Sequence, residues 1–265
     1  MADKKKVVVA FSGGLDTSYT VMKLTHDGYD VYAACANTGG FSPEQLKTNE
    51  ENAYKLGAVK YVTLDVTQEY YEKSLKYMVF GNVLRNNCYP ISVSSERIFQ
   101  AIAIARYANE IGATINLDDF THIDFFEKVV GKFPETMSCR YNPGGVFTLS
   151  NGIMDNPGDA KYGFTKAQLF EGYGLLKDKG VKNFGIHAFL ASNTCTNDYY
   201  ADLAKQLFGL VVEIKEKLGI SLSFVNLSGG VGVAYRPDQE QNDIIEIGKN
   251  VKRVYEEILV PAGLT

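Results

Sequence analysis

Cysteine is scarce and scattered. The four residues Cys35, Cys88, Cys139 and Cys195 form no CxxC and no Cys/His pairing at metal-ligand spacing. This excludes a zinc-ribbon or zinc-finger reading and points to reduced, buried thiols. Long apolar runs are also missing. Asp3-Lys4-Lys5-Lys6 leads into only five apolar residues, Val7-Val8-Val9-Ala10-Phe11, too few for a signal-peptide core. No stretch approaches the ~18 apolar residues of a membrane helix, so the expected location is cytoplasmic. An excess of positive charge is lacking too: 27 Lys and Arg face 31 Asp and Glu, for a net charge of −4. Neither nucleic acid nor an anionic membrane is therefore expected as a partner. A small anion stays compatible, because backbone N–H groups bind phosphate without net basicity. There is no internal repeat and no low-complexity segment.

What is present is ordinary for a globular chain: 265 residues, 45% hydrophobic and 22% charged, enough for one large α/β domain or two smaller ones. Short β-branched runs alternate with helical stretches, the pattern of βα units around a parallel sheet or barrel. Strands are expected at residues 6–10, 31–36, 60–64, 114–117, 136–141, 183–189 and 223–227. Helices are expected at 17–26, 43–56, 68–79, 95–111, 198–218 and 242–258. Ser42 reads as the N-cap of the second helix, with Pro43 in its first turn. In the 198–218 helix, Leu203, Leu207, Leu210, Val211, Ile214 and Leu218 recur every three or four positions and mark one buried face. Residues 142–163 hold five glycines and two prolines and read as irregular surface chain.

The sharpest local motif is Phe11-Ser12-Gly13-Gly14-Leu15-Asp16-Thr17-Ser18, set between an apolar strand and a helix. Glycines there allow a tight turn and a close backbone approach to a ligand. Ser12, Thr17 and Ser18 add hydroxyls, and the helix start adds unpaired N–H groups with the positive end of a dipole. These are the parts of a phosphate site; a plain strand-to-helix turn is the bland alternative. The lysine of a Walker A loop is absent, which argues against a P-loop kinase.

Ala10-Phe11-Ser12-Gly13-Gly14-Leu15-Asp16-Thr17-Ser18 resembles the pyrophosphate loop of the argininosuccinate synthases. The resemblance continues through Ala36-Asn37-Thr38-Gly39-Gly40-Phe41, Ala53-Tyr54-Lys55-Leu56-Gly57-Ala58 and Tyr89-Pro90-Ile91-Ser92-Val93-Ser94-Ser95-Glu96-Arg97. It ends near Ile111-Gly112-Ala113. That family joins citrulline to aspartate at the expense of ATP, with Mg²⁺. The resemblance implies that Ala10, Ser12, Gly13, Gly14, Leu15, Asp16, Thr17 and Ser18 hold the ATP phosphates and that Ala36 touches the adenosine. It further implies that Tyr89 contacts citrulline, with Arg97 in the same element; a half-buried structural aromatic is the alternative for Tyr89. After Ala113 the family's HGSTGxGNDQVRF loop is replaced by Thr114-Ile115-Asn116-Leu117-Asp118-Asp119-Phe120.

From about Ala113 onward the chain resembles the fold-type III pyridoxal phosphate (PLP) decarboxylases, diaminopimelate decarboxylase first and carboxynorspermidine decarboxylase as the alternative. The residues that carry this are Ile115-Asn116-Leu117-Asp118-Asp119, Cys139-Arg140-Tyr141-Asn142-Pro143, Lys161-Tyr162-Gly163-Phe164, Gly185-Ile186-His187-Ala188-Phe189-Leu190-Ala191-Ser192-Asn193 and Asn226-Leu227-Ser228-Gly229-Gly230-Val231-Gly232. The resemblance places them at the C-terminal ends of strands of a (β/α)₈ barrel. It makes Ser192, Ser228, Gly229 and Gly230 phosphate-side residues and His187 a strand-end candidate, with a satisfied core histidine as the alternative. Two departures stand out: Ser228 replaces a glycine, and Phe189 replaces a stacking histidine. The family's Schiff-base lysine has no counterpart in the matching stretch, so covalent PLP is not expected.

The fold expected is therefore α/β: a parallel-sheet nucleotide-binding half-domain of the adenine nucleotide alpha hydrolase type (residues 1–112), joined to about half of a TIM-type barrel (113–265). Residues 114–117 are expected to extend the nucleotide-binding sheet, and open strand edges to favour self-association. Three functional readings follow. One is a chimera of two families, catalytically incomplete, that binds a nucleotide or pyrophosphate. Another is an active ligase with Asp118 or Asp119 recruited to a rebuilt site, only one of which can face it because neighbours on a strand point oppositely. The last is a non-enzymatic scaffold for PLP phosphate or a protein.

Overall fold

The computed structural model describes residues 5–85, 89, 90, 92–144, 162–239 and 241–264, with backbone alone for 85, 89, 90, 92 and 93. The chain forms two compact units, Met1–Ala113 and Thr114–Thr265.

In the first unit, β1 (Lys6–Ala10), β2 (Asp30–Asn37) and β3 (Lys60–Asp65) make a parallel sheet in the order β1-β2-β3. The register runs from Lys6 opposite Asp30 to Asn37 opposite Asp65. β2 is central, and its alternate side chains enter two different cores. Ala33 and Cys35 join Val9, Phe11, Val21 and Ala53, so α1 (Leu15–His26) and α2 (Pro43–Lys55) cover that face. Ala36 turns the other way, toward Val66, Tyr70, Phe99 and Ala103, where α3 (Thr67–Tyr70) and α5 (Ser92–Glu110) pack. Small residues along β2 are what let helices approach from both sides.

α2 begins as its sequence dictates. Ser42 accepts from the Gln45 N–H and Gln45 returns the bond to the Ser42 N–H, with Pro43 at the first helical position. The helix expected at 68–79 is α3, a π-helical turn over Tyr71–Leu75, and α4 (Lys76–Phe80) in succession. A short hairpin of β4 (Leu84–Arg85) and β5 (Tyr89–Pro90) precedes α5.

The second unit is a four-stranded parallel sheet in sequential order: β6 (Ile115–Leu117), β7 (Thr136–Arg140), β8 (Asn183–His187) and β9 (Leu222–Asn226). Helices α6 (His122–Val130), α7 (Lys166–Asp178) and α8 (Tyr199–Leu218) connect the strands, and α9 (Ile244–Ile258) follows the last one. Sequential parallel strands with crossover helices are the arrangement of a partial (β/α) barrel. Leu203, Leu207, Leu210, Val211 and Ile214 of α8 are all buried, as their spacing requires, whereas Leu218 at the end of that stripe is only partly so.

One expectation is corrected here. β6 does not extend the nucleotide-binding sheet; Ile115, Asn116 and Leu117 pair with Met137, Ser138 and Cys139 of β7. Leu117, Met137 and Cys139 are nearly inaccessible, so the strand is held by apolar neighbours within its own β6–α6–β7 unit. Of residues 142–163, only 142–144, 162 and 163 are described. Asn142 is buried and its N–H donates to the Phe164 carbonyl, so this end of the segment is not surface chain.

Candidate functional site

In the first unit, the residues after β1 build a turn that faces a cavity. Phe11 N–H donates to the Ala34 carbonyl (2.8 Å), prolonging the strand by one residue. Gly13 then adopts φ +78° and Gly14 caps α1 in extended backbone with no side chain bonded to the helix start. α1 begins at Leu15, two residues ahead of expectation, so Asp16, Thr17 and Ser18 are helical. Among the described residues, no capping side chain bonds the first-turn N–H groups. Thr17 donates its hydroxyl to the Gly14 carbonyl (3.1 Å) and braces the turn.

A cavity of about 340 Å³ opens beside this turn, lined by Ala10, Ser12, Thr17, Ala36 and Arg97 among others. These five sequence candidates thus come together. Gly13, Gly14, Asp16 and Ser18 are not part of its lining, and the Leu15 side chain is 86% exposed. The Tyr89 side chain lies outside the described residues, as do Cys88 and Lys161.

Several residues without an assigned role prove to shape the site. Buried Asn49 of α2 lies against Gly13, where a Cβ would fall 2.1 Å from its Oδ1, and its Nδ2 donates to the Ser12 carbonyl (3.4 Å). Cys35 also lines the cavity, and burial pushes its thiol up from the ordinary range. Elsewhere in the same lining, Thr38 donates to Glu96 Oε1 (2.7 Å), and Gln100 donates to the same oxygen (2.7 Å). Arg97 in turn donates to Gln100 Oε1 (3.2 Å). Thr38 and Glu96 stand inside the quoted motifs, but their pairing across 58 positions leaves no sequence signal.

In the second unit, functional groups gather at the strand ends. Arg140 of β7 is opposite His187 of β8, which is opposite Asn226 of β9. Arg140, 8% exposed, donates to Asp118 Oδ2 (3.3 Å) and to the Phe189 carbonyl (2.9 Å), and its guanidinium lies 5.8 Å from the Phe189 ring centre. Burial, then the charge of Arg140, holds His187 below the usual imidazole range; Asp118 and a backbone bond at Asn226 oppose this. Among the described residues, buried His187 Nδ1 and Arg140 Nε have no hydrogen-bond partner. Asp119, by contrast, accepts from the Thr121 N–H and hydroxyl, which holds its carboxyl low and commits it to the turn before α6.

The two loops beyond β8 and β9 are stitched together. Thr194 donates through both N–H and hydroxyl to the Gly230 carbonyl (2.9 Å each), Tyr200 donates to the Gly229 carbonyl (3.0 Å), and Asn242 spans Thr194 and Gly232. Ser228, with φ +68°, donates its N–H to Asn226 Oδ1 (2.8 Å). A Cβ on Gly230 would meet the Ala191 carbonyl at 2.5 Å, so loop packing demands that glycine; one on Gly229 would meet nothing within 4 Å. Ser192 lies on the facing loop, next to Ala191. Among the described residues, no group of three or more His, Cys, Asp or Glu could hold a metal ion, and no helix is long and apolar enough to cross a membrane.

Comparison with known proteins places this geometry in two families. Residues 6–119 match the family described as Arginosuccinate synthase N-terminal HUP domain, and residues 83–263 match the pyridoxal-dependent decarboxylase, pyridoxal binding domain. Protein TabA of Pseudomonas amygdali pv. tabaci is 28% identical over 146 residues, 55% of this chain and 34% of TabA. The argininosuccinate synthase of Lactococcus lactis subsp. cremoris is 39% identical over 110 residues, 42% of this chain and 27% of that protein. Among solved structures, a diaminopimelate decarboxylase from M. jannaschii in complex with L-lysine superposes with TM-score 0.56 at 16% identity, covering 96% of this chain and 51% of that one. Its Helicobacter pylori counterpart gives 0.54 at 15%, covering 97% and 55%. At these identities the likeness speaks for the fold alone. The chain spans about a third or less of the curated relatives it matches and about half of the structural ones. Because the decarboxylase match covers more than half of its residues, the chain belongs to the pyridoxal-dependent decarboxylase family, and it carries a region of argininosuccinate synthase HUP type at its N-terminal side.

Proposed function

We propose that the chain is a fusion of two family segments whose working competence is to bind ATP or pyrophosphate through the first unit, completing neither parent reaction. One observation carries the reading: Ser12 and Thr17, which flank the Gly13–Gly14 turn on either side, line one cavity together with Ala10 and Ala36. Uncapped N–H groups and a helix dipole stabilise phosphate charge there, and the polyphosphate would run along Ser12, Gly13, Gly14, Leu15, Asp16, Thr17 and Ser18. Loss of ligase chemistry follows from the replaced segment. Where the synthases carry their second glycine-rich loop, this chain has β6, followed by Asp118, which is paired with Arg140, and Asp119, which is bonded to Thr121.

The pyridoxal phosphate implied by the decarboxylase family finds a partial fit. Gly229 has an open face, and with Gly230 and Ser192 it would receive the phosphate, while unpartnered His187 Nδ1 and Arg140 Nε stand at neighbouring strand ends. When bound, that group supplies an electron-withdrawing ring. Its covalent capture requires a lysine, and the strand-end set of Asp118, Arg140, His187 and Asn226 contains none. The second unit is therefore proposed to hold the group, if at all, by its phosphate alone.

The test is calorimetric titration with Mg-ATP and with Mg-pyrophosphate, beside a Ser12→Ala/Asp16→Ala variant. Saturable heat that the variant abolishes supports the reading. Absence of heat from either ligand at millimolar concentration rejects it.

A further inference from the structure

The proposed phosphate site accounts for part of the lining of the 340 Å³ cavity; Glu96, in the same lining, presents a carboxylate that this role leaves unused. Glu96 sits near the start of α5, and two neutral donors, Thr38 and Gln100, fix its Oε1 at 2.7 Å each. Thr38 follows β2 directly, so this bond ties the carboxylate to the central strand of the sheet. Oε2 has no partner among the described residues, and no cation pairs with the group: neighbouring Arg97 spends its bond on Gln100. A held, part-buried carboxylate with one open oxygen is an acceptor waiting for a donor, because leaving it unmatched in a filled cavity forfeits its solvation.

We propose that Glu96 is the specificity-determining residue of this cavity, reading an N–H donor on the ligand outside its phosphates. This rests on the phosphate reading above and deepens it. The shared chemistry is a nitrogen bearing hydrogen, from either of two sources: the exocyclic amine of the nucleotide's own base, or the ammonium or guanidinium end of a second small ligand. Phosphate and such a nitrogen would then be held by different parts of one lining, the first by backbone N–H groups and the second by the carboxylate.

The experiment compares wild type with Glu96→Gln and Glu96→Ala by calorimetry, using four probes: Mg-tripolyphosphate, Mg-ATP, Mg-ITP, and L-arginine added with tripolyphosphate. Glu96→Gln keeps the acceptor for Thr38 but replaces the open oxygen with an NH₂ donor. Tripolyphosphate affinity is expected to stay within about twofold in all three proteins, which also reports that the unit is folded. If the base amine is the donor, wild type prefers ATP to ITP by about tenfold, and Glu96→Gln removes or inverts that preference. If a second ligand supplies it, L-arginine binds wild type and loses at least about tenfold in both variants while ATP and ITP remain alike. Tripolyphosphate binding with no change for ATP, ITP or arginine in either variant overturns the assignment and leaves the phosphate reading standing. Failure of wild type to bind tripolyphosphate removes both.

Discussion

Replacing Gly13 with alanine tests the phosphate turn at the position where its backbone and its packing both demand glycine. At φ +78° an L side chain costs about 1–2 kcal/mol. The new Cβ would also stand 2.1 Å from Asn49 Oδ1 and 2.8 Å from its Cγ. Asn49 is buried and bonded to the Ser12 carbonyl, so it cannot swing clear without breaking that bond, and overpacking of this kind costs a further ~1–3 kcal/mol. Gly13→Ala should therefore destabilise the first unit by roughly 2–5 kcal/mol. The two contributions separate in a double-mutant cycle. Asn49→Ala removes the colliding atoms but not the backbone strain, so a coupling of about 1–3 kcal/mol is expected between the two substitutions. Urea denaturation followed by circular dichroism gives all four stabilities. A Gly13→Ala loss below about 1 kcal/mol, or strict additivity with Asn49→Ala, would refute the reasoning.

Other perturbations have definite expected outcomes. Ser42→Ala removes the hydroxyl half of the α2 capping box while leaving the residue-42 N–H to donate to Gln45, and should cost about 1 kcal/mol in the same denaturation assay, with little effect from Lys47→Ala on that helix. His187 has a folded-state pKa below its unfolded one, so its contribution is present above about pH 6.5 and is lost as pH falls through the depressed value. Wild type should thus lose stability between neutral and mildly acidic pH more steeply than His187→Asn; parallel profiles would contradict this. Burial pushes the Cys139 thiol up and removes it from solvent, whereas Cys195 is only partly covered. Iodoacetamide followed by peptide mass analysis should label Cys195 well before Cys139, and Mg-ATP should slow labelling of cavity-lining Cys35.

The sequence was legible where a local rule acts alone. β1 is a run of three valines bounded by a glycine turn, and α2 carries its start signal in Ser42, Pro43 and Gln45, so both were readable to within a residue. The turn between β1 and α1 was legible for the same reason, since a glycine pair between strand and helix permits the positive φ seen at Gly13. α7 escaped despite an equally good signal, the Thr165–Gln168 capping box, because the glycine-rich stretch before it drew attention to irregular chain. α6 is a nine-residue helix with only Ile123 and Phe126 buried, too short a stripe to read as periodic. The sheet to which β6 belongs was not readable at all: three residues, Ile115, Asn116 and Leu117, suit any parallel partner, and only Met137 and Cys139 decide. The same holds for side chains that act at a distance. Asn49, Glu96 and Arg140 owe their roles to Ser12, Thr38 and Asp118, each more than twenty positions away, and no spacing rule couples them.

The order β1-β2-β3 has a mechanical consequence. β1 is an edge strand, bound on one side only, and its Lys6 end faces Asp30 at the start of β2. Force applied at Lys6 would load the β1–β2 bonds one after another, as a zipper opens, while β2 and β3 remain joined over six residue pairs. The next segment to be drawn out would be Phe11 and the Gly13–Gly14 turn, before α1 has lost a single turn. A machine that unravels the chain from that side would reach the Gly13–Gly14 turn as soon as β1 had been peeled away, and would erase the proposed phosphate site first.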